Sequence, residues 1–119
     1  MKKRVLVVAV AAIVSGVVLA GCGGNHATED FRINITSANG VSGYSIGTIT
    51  TTEGDKVNLR VDNTTDKAHG FSIDAFNIHR VVPPNQSQMV SFTPHKTGQF
   101  RVYCQLHPAH VPAQMIVVG

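Results

Sequence analysis

The sequence is poor in cysteine, in charge and in helical periodicity, and each shortage excludes a class of protein. Its 119 residues include two cysteines, and 14% of them are charged. The longest apolar stretch, residues 5–20, is shorter than the about 20 residues that a transmembrane helix needs. There is no internal repeat, no phosphate-binding loop and no nucleophile with a paired base. An enzyme is therefore the less favoured interpretation.

The N-terminus has the pattern of a secretory signal. Basic residues 2–4 precede the apolar stretch, which ends in the small residues Ala20 and Gly21 directly before Cys22. We predict that residues 1–21 are a lipoprotein signal peptide and that Cys22 carries the lipid. An uncleaved anchor helix is the alternative. Both interpretations place the remainder outside the cytoplasm, and lipidation attaches it to a membrane, at the periplasmic face or the cell surface.

Removal of the signal peptide changes the charge of the protein. Three of its ten basic residues lie in residues 2–4, so seven remain against seven acidic residues. A nearly neutral domain has no basic surface for nucleic acid, and we expect no such partner. Residues 22–30 are small or polar and are typical of a flexible tether. Residues 31–119 have the length of a single domain.

From residue 31 onward the sequence predicts short strands separated by turns. Apolar residues alternate with polar ones in Phe31–Ile35, Val57–Val61 and Phe71–Ile73. Tyr44–Thr52 is rich in β-branched residues, and a short helical piece is plausible only near Asp74–Ile78. This spacing predicts an all-β sandwich or barrel.

Two of the apolar faces end in a residue that can bind a metal. They consist of Phe100, Val102 and Cys104, and of His69, Phe71 and Ile73. Because alternate residues of a strand share a face, Cys104 and His69 both point into the core. With Cys22 lipidated, Cys104 has no partner for an internal disulfide. Its thiol is then either an inert buried group, a reactive group or a metal ligand.

The loop after Val102 adds two imidazoles to this thiol. Cys104, His107 and His110 lie within seven residues, in a turn stiffened by proline. Thiolate and imidazole are preferred ligands of copper and zinc, and blue-copper sites combine one Cys with two His. We predict a metal site formed by His69, Cys104, His107 and His110.

The other candidate ligands are predicted to lie elsewhere. His26 falls in the tether, and His79 and His95 lie beside basic residues at strand ends or turns. We interpret these three histidines as surface residues. Met89 and Met115 fall in predicted strands and are interpreted as core residues rather than axial ligands.

Three segments resemble nitrosocyanin, a mononuclear red-copper cupredoxin. They are Gly70–Phe76, Ser91–Thr93 and Cys104–Pro108, within a similarity that covers roughly residues 54–118. The resemblance implies a cupredoxin-like Greek-key β-sandwich with one copper ion per chain. It also implies that Cys104 and His107 are ligands and that His110 matches a second histidine of the same loop.

The sequence departs from that family at two points. The loop is two residues shorter, and His69 stands where the family has a glutamate. His69 restores the upstream histidine of ordinary blue cupredoxins, which leaves His110 either equatorial or axial. A binuclear copper site is disfavoured because it needs a second cysteine at position 108, which is Pro108.

Four functions remain open for such a site. Electron transfer to an unidentified redox protein is the first, and binding of a small nitrogen oxide such as nitric oxide is the second. Copper storage or delivery is less favoured, because flexible segments rich in Met or Cys are missing. A zinc site is the fourth, since one Cys and three His also satisfy tetrahedral zinc.

Overall fold

Strands dominate the part of the chain that the computed structural model describes, residues 25–119. The elements in chain order are β1 (Thr28–Ala38), β2 (Val41–Tyr44), β3 (Thr48–Thr52), β4 (Lys56–Asn63), β5 (His69–Ile73), a 3-10 helix (Asp74–Phe76), β6 (Ile78–Val82), β7 (Ser87–Phe92), β8 (Gly98–Val102) and β9 (Ala113–Val118). The predicted all-β class is confirmed. The only helix of these residues is the 3-10 turn at the place where the sequence allowed one.

The strands form two layers. One sheet has the order β2-β1-β4-β7, and a second has the order β3-β9-β8. The β5-β6 ribbon joins the second sheet through the antiparallel bridge between Ser72 and Tyr103. This arrangement is consistent with a Greek-key β-sandwich.

The core fills the space between these layers. The fully buried side chains of the first sheet include Ile33 and Ile35 of β1, Leu59 of β4 and Val90 of β7. The opposite layer contributes Ile49, Phe71, Ile73, Val102, Met115 and Val117. Burial of one such aliphatic or aromatic side chain contributes roughly 1.5–3 kcal/mol. The alternation seen in the sequence therefore identifies the inward faces correctly.

The β-branched stretch from Tyr44 to Thr52 is not one continuous strand. It is divided by residues 45–47, where the backbone changes its hydrogen-bond partners. The Ser45 N–H donates to Asn34 O of β1 at 2.8 Å, whereas Gly47 O accepts from the Gln114 N–H of β9 at 3.0 Å. The chain thus crosses from one sheet to the other within three residues, and composition alone carried no signal of this crossing.

The first strand begins within the predicted tether. β1 starts at Thr28, three residues before the predicted start of the domain. The Ala27 N–H donates to Asp55 Oδ1 at 2.9 Å, and the Lys56 N–H donates to Ala27 O at 2.9 Å. The predicted signal peptide and Cys22 lie outside the described residues. Among residues 25–119 the structure contains no apolar helix of membrane-spanning length.

A buried asparagine holds the loop that leads to β5. Asn63 Nδ2 donates to the carbonyl oxygens of Lys67, Val82 and Pro83 at 2.7, 3.0 and 3.2 Å. Its Oδ1 accepts from the N–H and the hydroxyl of Thr65 at 2.9 and 2.8 Å. Asn63 therefore fixes the chain immediately before His69.

Asn63→Ala is expected to lower the free energy of unfolding by about 2–3 kcal/mol, because it leaves several buried backbone groups without partners. Chemical denaturation measures this change. The matched control is Asn58→Ala on the same strand, whose side chain bonds Asp30 and Ser91 at the surface. We expect that control to change stability by about 0.5 kcal/mol or less. Equal effects of the two substitutions would contradict the role of Asn63.

Candidate metal centre

Two backbone hydrogen bonds bring the predicted ligand segments together. The Ser72 N–H donates to Tyr103 O at 2.9 Å, and the Tyr103 N–H donates to Ser72 O at 3.0 Å. His69 begins β5, three residues before this bridge, and Cys104 follows it directly. The bridge therefore places the thiol of Cys104 beside the start of β5, which carries His69.

Cys104 is a buried thiol with two polar neighbours. Cys104 is 5% exposed, and its sulfur accepts a hydrogen bond from the Gly70 N–H at 3.1 Å. His107 Nδ1 lies 3.5 Å from the same sulfur. Cysteine binds a metal as the thiolate, whose negative charge an N–H donor can stabilise.

Three of the four predicted ligands share one site. The donor atoms of His69, Cys104 and His107 all lie within 4.8 Å of one another. His69 is buried and His107 is half-buried, and their ring centroids are 4.8 Å apart. One ion could therefore contact all three residues.

His110 lies beside this group rather than within it. It is 4% exposed, and its ring centroid is 5.2 Å from that of His69. Its N–H donates to His107 O at 3.0 Å, which closes the turn between the two histidines. Its ring Nδ1 lies 3.1 Å from Val111 O. Because a carbonyl oxygen can only accept, Nδ1 carries the proton and Nε2 presents a lone pair.

Two buried nitrogens lack any protein partner. Among residues 25–119, the buried side-chain nitrogens and oxygens without a hydrogen bond are His69 Nδ1 and His110 Nε2. Each such atom costs about 1–3 kcal/mol when left unsatisfied. Both occur at the predicted site, and a bound metal ion would satisfy them. The donor set of one thiol and several imidazoles fits copper or zinc.

Burial favours the neutral form of two of these imidazoles, those of His69 and His110. Burial lowers the pKa of His69, and the neighbouring His107 and Lys67 lower it further. Burial also lowers the pKa of His110, although the Val111 carbonyl acts in the opposite direction. A neutral imidazole offers its lone pair to a metal without first losing a proton.

Tyr44 forms a wall of the site that the sequence did not indicate. Its ring centroid is 4.5 Å from that of His110, and it packs edge-on against Phe71 at 5.8 Å. Its hydroxyl donates to Gly70 O at 2.7 Å. Burial raises the pKa of Tyr44, and the charge of Cys104 raises it further. The residue comes from the other sheet, so no local spacing linked it to the ligands.

A cleft of about 330 Å³ opens beside the ligands. Its lining includes His69, His107 and His110, together with Ser42 of β2 and Lys67 of the loop before β5. The site is thus buried on the core side and accessible from this cleft.

The remaining candidate residues lie away from the site, with one departure from prediction. His79 is a surface residue bonded to Asp74 Oδ1 at 2.8 Å, and His95 is also exposed. His26 is half-exposed, 3.8 Å from Asp55. Met115 is fully buried as predicted. The prediction for Met89 was wrong: it is 55% exposed, because its neighbour Val90 takes the inward face of β7.

Curated relatives of this chain are much longer proteins. It is 29% identical over 93 residues to nitrous-oxide reductase of Ralstonia nicotianae, covering 72% of this chain and 14% of that protein. It is 28% identical over 76 residues to the same-named protein of Cupriavidus necator, covering 61% of this chain and 12% of that protein. The chain therefore spans about a seventh or less of their length.

Solved structures share the fold at low sequence identity. A copper nitrite reductase from Nitrosomonas europaea has a TM-score of 0.67 at 16% identity, over 76% of this chain and 41% of that one. The metal binding domain of a Cu(I)-exporting P-type ATPase from Streptococcus pneumoniae has a TM-score of 0.58 at 14% identity. The match covers 74% of this chain and 96% of that one. The sequence pattern of the cupredoxin-like domain matches residues 9–117. With this fold and a Cys-His-His cluster at the end of β8, the chain belongs to the cupredoxin-like domain family.

Proposed function

We propose that this domain binds one copper ion through His69, Cys104, His107 and His110 and transfers electrons outside the cytoplasm. The observation that carries the proposal is the pair of buried, unpartnered nitrogens beside a buried thiol. Copper accepts this combination of one thiolate and imidazoles. The cupredoxin-like family and the named copper proteins among the similar structures support the choice of metal.

A bound copper ion would supply one-electron chemistry between its two oxidation states. The protein would keep the ligands in the same positions while the electron is gained or lost. His69 begins the buried strand β5, Cys104 directly follows the Ser72–Tyr103 bridge, and the adjoining core residues Phe71 and Val102 are fully buried. Ligands fixed by packing and by hydrogen bonds move little, which suits a site that only passes electrons.

Absorption and paramagnetic-resonance spectra of the copper-loaded domain test this proposal. We expect an intense thiolate-to-copper band and a signal from one Cu(II) per chain. A protein purified with zinc that shows no such band after copper loading would favour the zinc alternative. Reversible oxidation and reduction without loss of copper is the result expected of an electron carrier.

The cleft supports a second candidate, the binding of a small nitrogen oxide such as nitric oxide at the metal. Its lining contains His69, His107 and His110, so a small molecule could reach the ligands. The resemblance to nitrosocyanin and the name of the nitrite reductase with a similar fold point in the same direction. Spectral titration of the copper-loaded protein with nitric oxide distinguishes it from a pure carrier.

We propose further that Cys22 is lipidated and anchors the domain to a membrane. The short apolar stretch and the small residues before Cys22 support this location. The anchor would keep the domain near membrane-bound or soluble redox proteins, whose identity is open.

Cys22→Ser is expected to move the protein from the membrane fraction to the aqueous fraction, because the modified thiol is removed. The colour of the copper-loaded domain is expected to stay the same, since Cys104 is the metal-binding cysteine. Fractionation of cells expressing each form, with immunodetection, measures the change. Retention of the Cys22→Ser protein in the membrane would favour the uncleaved anchor helix.

A further inference from the structure

Gln105 joins the ligand loop to the β5-β6 ribbon. Its Oε1 accepts the hydroxyl of Ser72 at 2.6 Å, and its Nε2 donates to Arg80 O at 3.0 Å. Ser72 lies on β5 and Arg80 on β6, so one amide spans both strands. Gln105 itself is exposed, and its apolar stem fills no core position.

The amide of Gln105 lies directly against Gly70. A Cβ atom added at Gly70 would stand 2.0 Å from Gln105 Oε1, 2.5 Å from Cδ and 3.0 Å from the backbone nitrogen. A side chain at Gly70 would have to displace the Gln105 amide, so a glycine in this strand allows the amide to lie where it does. The ligand loop therefore approaches β5 closely at Gly70.

Gly70 is also the residue whose N–H contacts the ligand sulfur. That N–H donates to Cys104 Sγ at 3.1 Å. We propose that Gln105 is a positioning residue, which clamps the ligand loop over Gly70 and thereby keeps the Gly70 N–H on the Cys104 sulfur. The effect on the metal rests on the proposed copper function, whereas the clamp itself does not.

The clamp has a defined consequence for the sulfur. An N–H donor stabilises negative charge on a thiolate, so the sulfur gives less electron density to a bound metal. Loss of the donor makes the thiolate more electron-rich and stabilises Cu(II) over Cu(I). The reduction potential then falls, and the thiolate-to-copper band moves to longer wavelength.

Gln105→Ala tests the clamp in two independent measurements. In the metal-free domain we expect the Gly70 amide to exchange with solvent several-fold to about tenfold faster, as loss of a hydrogen bond produces. In the copper-loaded domain we expect a lower potential and a band at longer wavelength. The matched control is Gln88→Ala, which removes a surface glutamine that donates to Val81 O of β6 at 2.6 Å. Neither quantity should change in the control.

Two further variants separate hydrogen bonding from bulk. Gln105→Met keeps volume over Gly70 without the amide, and we expect it to behave like Gln105→Ala. Gly70→Ala retains the N–H but displaces Gln105, so it should reproduce the same changes. Adding Gln105→Ala to Gly70→Ala should produce little further change, because the clamp is already lost.

The clamp would be refuted if the Gly70 amide of Gln105→Ala exchanged at the wild-type rate. It would also be refuted if Gln105→Met had the wild-type exchange rate, reduction potential and absorption band. Additive effects of the two substitutions would also overturn it. Absence of a thiolate-to-copper band in the wild type would instead refute the copper function, and amide exchange would still decide the role of Gln105.

Discussion

Cys104→Ser abolishes the intense absorption band expected of the copper-loaded domain. That band arises from transfer of charge from a thiolate sulfur to copper, and Cys104 is the only thiol among residues 25–119. Serine oxygen is a poor ligand for copper in this setting, because soft sulfur is what selects the metal. We expect loss of the whole band rather than a change in its position.

The fold is expected to survive this substitution. Serine is close to cysteine in size, and its oxygen can still accept the Gly70 N–H that now contacts the sulfur. Circular dichroism and a thermal melt of the metal-free protein check that point. A folded Cys104→Ser protein that keeps its colour would refute Cys104 as a ligand. His79→Ala is the control, because His79 is a surface residue bonded to Asp74.

The inward faces of the strands were predictable because side chains alternate. Phe71 and Ile73 on one strand and Val102 before Cys104 on another are all fully buried. The ligand loop could be found for a similar reason, since a thiol and two imidazoles occur within seven residues. His69 was predicted from the inward face that it shares with Phe71. Each inference used neighbours close in sequence.

The features that sequence did not predict depend on contacts between distant segments. Tyr44 reaches His110 because β2 pairs with the distant ligand loop, where the Val111 N–H donates to Ser42 O at 2.8 Å. Gly70 does not have a positive φ angle that would favour glycine. A side chain is disfavoured there because Gln105, which is distant in sequence, occupies the space. Such packing requirements leave no periodic pattern in the sequence.

His110 decides between the two candidate functions, because it is the predicted ligand outside the close group of three. Its Nδ1 is held by Val111 O, and its buried Nε2 has no partner among the described residues. We propose that this nitrogen is the fourth ligand. A strong fourth ligand draws copper toward a tetragonal site, which is red or green rather than blue. The wild-type protein is therefore expected to be red or green.

Substitution of His110 is expected to change this colour in two directions. His110→Met weakens the fourth bond and shifts the spectrum toward that of a blue site, since a long thioether bond is typical of blue copper. His110→Gly removes the imidazole next to the cleft of about 330 Å³ and leaves a position that added imidazole or nitric oxide can fill. Absorption and paramagnetic-resonance spectra, with and without the added ligand, measure both effects.

The same spectra can also contradict the proposal that His110 binds copper. The control His95→Met alters an exposed histidine and leaves the spectrum unchanged. If the wild type is already strongly blue and both His110 variants match it, His110 does not bind copper, and the protein is an ordinary blue-copper carrier. If the wild type itself binds nitric oxide reversibly, the metal has an accessible position through the cleft. The small-molecule function is then favoured over electron transfer alone, because reversible binding shows that the metal accepts a ligand besides those of the protein.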